Sequence, residues 1–139
     1  MSVSASVTHE IPFHDIDIME IVWHGHYFKY FEMARTKLMQ KFELDWTQLR
    51  DLGYAMPIID CNAKYRQSTP YGTIINIEAK VSEFEYPSLD IDYKISSPLQ
   101  EIHVTGKTRQ IYLEIETLKP SFNVPEEILT RFQMGFKNE

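Results

Sequence analysis

The fold of this chain is decided by residues 13–42, which read FHDIDIMEIVWHGHYFKYFEMARTKLMQKF. Apolar residues in the second half recur every three or four positions, at Tyr27, Phe31, Ala34, Leu38 and Phe42. This spacing places them on one face of a helix, so the sequence predicts an amphipathic helix over residues 26 to about 42. Another layer of structure must cover its apolar face.

The residues after Gly53 can supply that layer, because they are rich in β-branched and aromatic side chains with apolar residues at alternate positions. The pattern predicts long strands at roughly 56–68, 73–84, 88–97 and 102–117, and a shorter first strand at 7–13. Turn residues at 70–72, 86–87 and 96–98 separate the long strands. At least part of the sheet is therefore expected to be an antiparallel meander.

Two shorter helices are also predicted. Residues 45–53 begin with Asp45, a suitable N-cap, and end at Gly53, which is typical of a helix stop. Residues 125–132 begin with a proline followed by two glutamates, the usual chemistry of a helix N-terminus. The last four residues, FKNE, are expected to be a frayed tail.

A single long helix beside a long antiparallel sheet is buried most simply when the sheet wraps around the helix. We therefore expect an α+β hotdog fold, with about five antiparallel strands around one long central helix. No repeat, linker or shift in composition divides residues 1–139, so one domain is expected. A protomer of this shape leaves a sheet edge and a helix flank uncovered, which predicts a homodimer or homotetramer.

Composition narrows the class of protein further. The chain has 139 residues, of which 43% are hydrophobic, enough to bury a core without disulfides or a metal. Its formal charge of −6 disfavours nucleic acid as a ligand. The single cysteine, Cys61, has no partner for an internal disulfide, so a cytoplasmic location is expected for the protein. Cys61 itself is expected to be a buried residue of a strand. No apolar run suits a membrane span, and the first ten residues lack the layout of a secretory signal.

Residues 13–27 hold the densest group of chemically functional side chains. They lead directly into the long helix, whose first N–H groups and positive dipole end can stabilise an oxyanion on an acyl carbonyl. The amides of residues 23–26 are the candidates. Asp17 lies a few residues upstream, where a carboxylate can act as nucleophile or as general base toward a water.

This stretch resembles the 4-hydroxybenzoyl-CoA thioesterase-like family of hotdog proteins, which includes the Tol-Pal-associated acyl-CoA thioesterases. The family pattern approximates aromatic-x-D-T-D-x-x-G-V-V-Y/W-H-x-x-Y-x-x-x-F/Y-E-x-A-R. Matching residues in this chain are Phe13, Asp15, Asp17, Ile21, Val22, Trp23, His24, Tyr27, Phe31, Glu32, Ala34 and Arg35. A weaker likeness extends over residues 10 to 115.

The resemblance implies hydrolysis of an acyl thioester with Asp17 as the catalytic carboxylate. It also implies that His24 supports the site, that backbone N–H groups around His24 polarise the thioester, and that Asp15 and Tyr27 are structural or shape the pocket. No metal or other cofactor is implied, and the spacing of the histidines and aspartates gives no recognised ligand motif. Residues expected to bind the substrate are Trp23, His26, Tyr27 and Arg66.

Three departures from the family pattern bear on mechanism and substrate. Glu20 replaces a glycine, so this added carboxylate either perturbs Asp17 by like-charge repulsion or serves as a second acid–base group. Thr73 replaces an aspartate in a turn. Residues 85–88, EYPS, lack the basic residue that often assists a nucleotide, although Lys64, Arg66 or Arg109 could compensate from another strand. Both acyl-CoA and an acyl carrier protein stay open as substrates.

Two other functions stay open as well. Hotdog proteins also dehydrate hydroxyacyl thioesters with a histidine and a carboxylate, and His24 with Glu20 could act in that way. A non-catalytic acyl-binding module would keep the pocket without turnover. A serine-hydrolase route is disfavoured because the chain has no Gly-x-Ser-x-Gly elbow.

Overall fold

The structure, a computed structural model, describes residues 3–84 and 88–138. Its strands are β1 (Ser4–Glu10), β2 (Tyr54–Ala55), β3 (Ile58–Tyr65), β4 (Ile74–Glu83), β5 (Ser88–Ser96), β6 (Ile102–Glu114) and β7 (Lys119–Ser121). Its α-helices are α1 (Tyr27–Lys41), α2 (Trp46–Leu52) and α3 (Glu126–Lys137). The turn predicted at 86–87 lies outside the described residues.

The strands form one antiparallel sheet in the spatial order β1-β4-β5-β6, with β3 on the far side of β6. The predicted meander is therefore confirmed for β4 to β6. β3 does not pair with β4, its neighbour in sequence, but joins β6 with Tyr65 opposite Val104 and Cys61 opposite Thr108. This arrangement leaves β1 and β3 as the edges of the main sheet.

The prediction of about five strands was too low, because the sheet has seven. The two additional strands, β2 and β7, have two and three residues, too few to show an alternating pattern in the sequence. Both extend the sheet at the end of β6, where Glu114 lies opposite Tyr54 on one side and Lys119 on the other.

The predicted central helix is confirmed within one residue at each end. Every residue of its predicted apolar stripe is buried, and Phe31 stacks on Tyr93 of β5 with ring centroids 4.5 Å apart. Gly106 of β6 permits this close packing, because a Cβ at that position would lie 2.6 Å from the Phe31 ring. The sheet wraps the helix as the α+β hotdog prediction requires.

The other helices follow local chemistry and packing. Asp45 and Gln48 form a capping box at the start of α2, and Gly53 ends it in the left-handed conformation, as predicted. The frayed tail predicted for residues 136–139 was wrong for Phe136 and Lys137, which belong to α3, whereas Glu139 lies outside the described residues. Aromatic packing explains the length of α3. The Phe132 ring lies 4.9 Å from the Phe42 ring, and further aromatic contacts follow toward the end of the helix.

Two smaller expectations also need correction. The first strand ends at Glu10 rather than at residue 13, because residues Phe13–Asp15 form a single 3₁₀ turn after Pro12. Cys61 lies on β3 as predicted but is exposed, because β3 is an edge strand whose residues are largely open to solvent. None of the helices in the described part of the chain is both long and apolar enough to cross a membrane.

Candidate active site

Residues 15–23 form a narrow hairpin that leads into the central helix. The Trp23 amide donates to the Asp15 carbonyl at 3.1 Å, and the Asp17 amide donates to the Ile21 carbonyl at 2.9 Å. Val22, paired with Ile16 between these bonds, is buried. Since side chains alternate across paired strands, Asp17 and Trp23 belong to the opposite face of the hairpin.

Asp17 lies at the turn of this hairpin, half-buried, with exposed residues beside it. Its carboxylate accepts a hydrogen bond from the Met19 amide at 2.8 Å, and its carbonyl accepts one from the Glu20 amide at 2.9 Å. The second carboxylate oxygen makes no hydrogen bond to any residue in 3–84 or 88–138. The backbone therefore orients the acid and leaves one oxygen open to a water or a substrate.

Glu20 adopts a left-handed backbone conformation, with φ of 64°. Glycine takes this conformation without a steric penalty, which explains why a glycine suits this position in the family pattern. The Glu20 side chain is exposed and contacts no charged group among the described residues. The replacement changes the turn, and its carboxylate points to solvent rather than to a defined partner.

The start of the helix is covered by the Trp23 ring. Residues His24–His26 form a 3₁₀ turn that runs directly into α1. Of the four amides predicted as oxyanion donors, that of Trp23 donates to Asp15 and that of His26 donates to the Trp23 carbonyl at 2.9 Å, so only those of His24 and Gly25 lack an acceptor among the described residues. The Trp23 ring centroid lies 4.9 Å from that of His24 and 5.3 Å from that of His26. Gly25 makes this possible, because a Cβ there would lie 2.2 Å from the indole.

Tyr65, at the end of β3, holds the same turn from the other side. Its hydroxyl donates to the His24 carbonyl at 3.0 Å, and its ring lies 5.5 Å from that of Tyr27. The carbonyl and N–H of one trans peptide unit point in opposite directions, so this bond also orients the Gly25 N–H. Sequence reasoning missed Tyr65 because it lies 41 residues from its partner.

A buried chain of hydrogen bonds supports the helix start from below. The Tyr27 hydroxyl donates to Thr69 Oγ1 at 3.0 Å, and Thr69 Oγ1 lies 2.7 Å from His103 Nδ1. Thr69 Oγ1 either donates to the His103 ring or accepts from it, according to which nitrogen of the neutral imidazole carries the proton. Burial lowers the pKa of His103 below its ordinary value, which favours the same neutral form.

Asp15 differs from Asp17 in being an anchored acid. It is 1% exposed and accepts hydrogen bonds from Lys29 Nζ and the Tyr30 hydroxyl, both at 2.6 Å. Burial alone would raise its pKa, but the Lys29 and Tyr30 hydrogen bonds hold the pKa of Asp15 below its usual value. Asp15 is therefore an ionised, fully engaged group that ties the hairpin to α1.

The basic residues that were considered as phosphate ligands differ in whether their charge is already paired. Arg109 makes two hydrogen bonds to the Asp90 carboxylate, each 2.9 Å, and Lys107 lies 3.6 Å from Asp92. Arg66 is exposed and follows Tyr65, which places it beside the helix start. Its side chain makes no ion pair with the residues that the structure describes, so it stays available to an anionic ligand.

The structure brings only some of the predicted site residues together. The Trp23 ring contacts both His24 and His26, and Asp17 lies on the hairpin that precedes them. Tyr27 is 3% exposed with its hydroxyl engaged, so its geometry suits support of the helix rather than direct contact with a ligand. No group of three potential metal ligands converges anywhere in residues 3–84 or 88–138.

A long helix wrapped by an antiparallel sheet, entered through a hairpin that carries an open acid, defines the hotdog class. A family model described as "Thioesterase-like superfamily" matches residues 11–132. The chain belongs to the thioesterase-like superfamily and is a thioesterase-like enzyme of the hotdog fold.

Individual proteins are similar to the chain in sequence or in fold. The Bacillus subtilis (strain 168) protein named "Putative acyl-CoA thioesterase YneP" is 23% identical over 111 residues, which cover 80% of each chain. The solved DHNA-CoA thioesterase from Staphylococcus aureus superposes with a TM-score of 0.84 at 21% identity, covering 97% of this chain and 89% of that one. The S. aureus protein SAV2348, solved in complex with CoA, superposes with a TM-score of 0.87 at 14% identity, covering 98% and 85%.

Proposed function

We propose that the protein hydrolyses acyl thioesters at the start of the central helix. Asp17 attacks the thioester carbonyl as a nucleophile or directs a water to it as a general base. The Gly25 and His24 amides stabilise the oxyanion, and the thiolate then leaves as the carbonyl re-forms and takes up a proton from water. In the nucleophilic route a water then hydrolyses the acyl–Asp17 anhydride and restores the carboxylate. The observation that carries this proposal is the hairpin of residues 15–23, which joins an open carboxylate to a helix start with unpaired amides.

The remaining site residues have separate roles in this proposal. Trp23 shields the oxyanion-binding peptide from water on one side, and His26 borders the same ring. His24 supports the site through its backbone, and its exposed imidazole borders the reacting carbonyl. Glu20 acts mainly through the turn that it closes, although its carboxylate could still exchange protons with the site.

Acyl-CoA is the substrate class that we favour. A relative named for this activity and a neighbour solved with CoA support it. Arg66 is an exposed cation that directly follows Tyr65, and we propose that it contacts phosphates of the carrier. An acyl carrier protein is the second candidate donor, disfavoured because such carriers and this chain, at −6, are both acidic.

We further propose that two copies pair through β3 to complete the site. Most residues of this edge strand are exposed, including Ile58 and Ile59, and unpaired strand edges favour pairing with another chain. Tyr65 lies on the same strand, so pairing through β3 would bring the partner close to the helix start. A dimer of this kind, or a tetramer built from it, would close the open side of the site.

Replacement of Asp17 tests the proposal directly. Asp17→Asn keeps the hairpin bond to Met19 and removes the charge, so turnover is expected to fall by about a thousandfold with folding intact. The measurement is thiol release from acyl-CoA, followed colorimetrically, with thermal unfolding as the check of structure. Asp92→Asn on the outer face of β5 is the matched control and should leave turnover unchanged.

The same assay separates the rival functions. A dehydratase would form an enoyl chromophore from a hydroxyacyl thioester without releasing thiol. A binding module would retain acyl-CoA with no turnover, and its affinity would not depend on Asp17. Unchanged thiol release by Asp17→Asn would sink the assignment of this residue, whereas a covalent acyl adduct trapped in rapid-quench mass spectrometry would identify it as the nucleophile.

A further inference from the structure

We propose that a cavity beyond the helix start holds the tail of a linear aliphatic acyl group, an inference that rests on the proposed thioester hydrolysis. The cavity has a volume of about 530 Å³, within the range of small-molecule sites. It lies between the second half of α1, α2 and β2. Its apolar lining includes Met39, Leu44, Leu49, Met56, Leu89 and Ile115.

The cavity lies in line with the proposed reaction site. Along α1 its lining begins at Glu32 and reaches Met39, and a rise of about 1.5 Å per residue places these about 8 Å and about 18 Å beyond Tyr27. Along β6, Val104 lies opposite Tyr65, and Gln110 lines the cavity. Six residues of strand span about 20 Å, so the helix and the sheet give the same direction and a similar length.

Small residues line the sheet between the two sites along its β3 edge. Phe31 and Gly106 are in contact there, and Ala63 and Cys61 of β3 lie opposite Gly106 and Thr108. Since Tyr65, Ala63 and Cys61 alternate with residues of the other face, all three lie on the side of the sheet that faces α1. An extended chain leaving the carbonyl at residues 24–25 can follow this strand toward the cavity.

Charge within the cavity favours an uncharged tail. Arg35 donates to Glu32 Oε2 at 2.9 Å and to Gln110 Oε1 at 3.0 Å, so its positive charge is already balanced. Arg50 stacks over the Trp46 ring at 5.1 Å, at the exposed side. Among the described residues that line the cavity, no buried cation is left to bind a carboxylate at the end of an acyl chain. The apolar lining instead favours binding through each methylene that it buries.

Chain-length dependence tests this inference. Thiol release is to be measured with acetyl-, benzoyl-, hexanoyl-, decanoyl- and palmitoyl-CoA. Each buried methylene contributes about 0.8 kcal/mol, or about fourfold in kcat/KM, so decanoyl-CoA should exceed acetyl-CoA by well over tenfold. Benzoyl-CoA, whose single ring stops before Glu32, should be a poor substrate.

Filling the cavity supplies the matched variants. Thr36→Phe places a ring in the cavity from an exposed position on α1 and should lower kcat/KM for decanoyl-CoA at least tenfold while leaving acetyl-CoA unchanged. Lys37→Phe, the neighbouring residue outside the cavity, should change neither. Ala55→Phe fills the cavity from β2 and serves if Thr36→Phe unfolds.

The outcomes separate this inference from the proposed function. Hydrolysis with no preference for longer chains, or unaffected by both filling variants, overturns the tail site and keeps the hydrolase. Absence of thiol release from every substrate overturns the hydrolase. In that case calorimetric binding of decanoyl-CoA and CoA decides the tail site, which requires tighter binding of decanoyl-CoA and loss of that advantage in Thr36→Phe.

Discussion

Glu20 departs, at the residue scale, from the family pattern at a position whose backbone conformation favours glycine. The carboxylate suggested a second acid near Asp17, but the backbone at φ of 64° shows that this position chiefly closes a turn. Local sequence predicted the start of the helix correctly, whereas the hairpin before it was not predicted and the role of Asp17 stays a prediction. It did not predict Tyr65, Thr69 or His103, because their contacts join residues 34 to 42 positions apart and leave no local pattern.

Glu20→Gly should stabilise the protein. A non-glycine residue in the left-handed conformation lowers the free energy of unfolding by about 1 kcal/mol. Glycine removes this strain but also raises the conformational entropy of the unfolded chain, so the free energy of unfolding is expected to rise by up to about 1 kcal/mol. Urea unfolding measures it, and Glu10→Gly at an ordinary strand position should instead destabilise. Turnover should change less than threefold, whereas a large loss shared with Glu20→Gln would place the carboxylate in catalysis.

At the scale of elements, a helix or strand was predicted more reliably when its periodic apolar pattern was longer. The fifteen residues of α1 show four turns of an apolar stripe, so its bounds were predicted closely. β2 and β7 have no usable period, and their pairing depends on where β6 ends. The order of strands was only partly predictable, since nothing local to β3 indicates that it pairs with β6 instead of β4.

The contact between β3 and the helix start gives a test of how elements cooperate. Tyr65→Phe removes the hydroxyl that holds the His24 carbonyl and frees the Gly25 peptide to rotate. A hydrogen bond worth about 1 kcal/mol predicts a fall in kcat of about fivefold to tenfold with KM little changed, because the oxyanion forms only in the transition state. Tyr71→Phe is the exposed control. A rise in KM of the same size, with kcat unchanged, would argue against a positioning role for Tyr65.

At the scale of the whole molecule, the exposed edge of β3 sets the expected assembly. Ile59 is 56% exposed on that strand, and a charge there should oppose pairing between two chains. Sedimentation equilibrium is expected to show a dimer or tetramer for the native protein and a shift toward monomer for Ile59→Lys. Leu118→Lys, at an exposed turn after β6, should leave the assembly intact. A native protein that stays monomeric at high concentration would remove the proposed pairing.

The positions of the two tryptophans allow the two regions of the proposed substrate to be observed separately. Trp23 covers the peptide at residues 24–25, and Trp46 borders the cavity beyond α1. Indole emission responds to the polarity around the ring, and the chain has only these two indoles. With Trp46 replaced by phenylalanine, fluorescence would report arrival of the reacting carbonyl; with Trp23 replaced, it would report arrival of the hydrocarbon end. The chain thus carries an optical label at each end of the path, without any added dye.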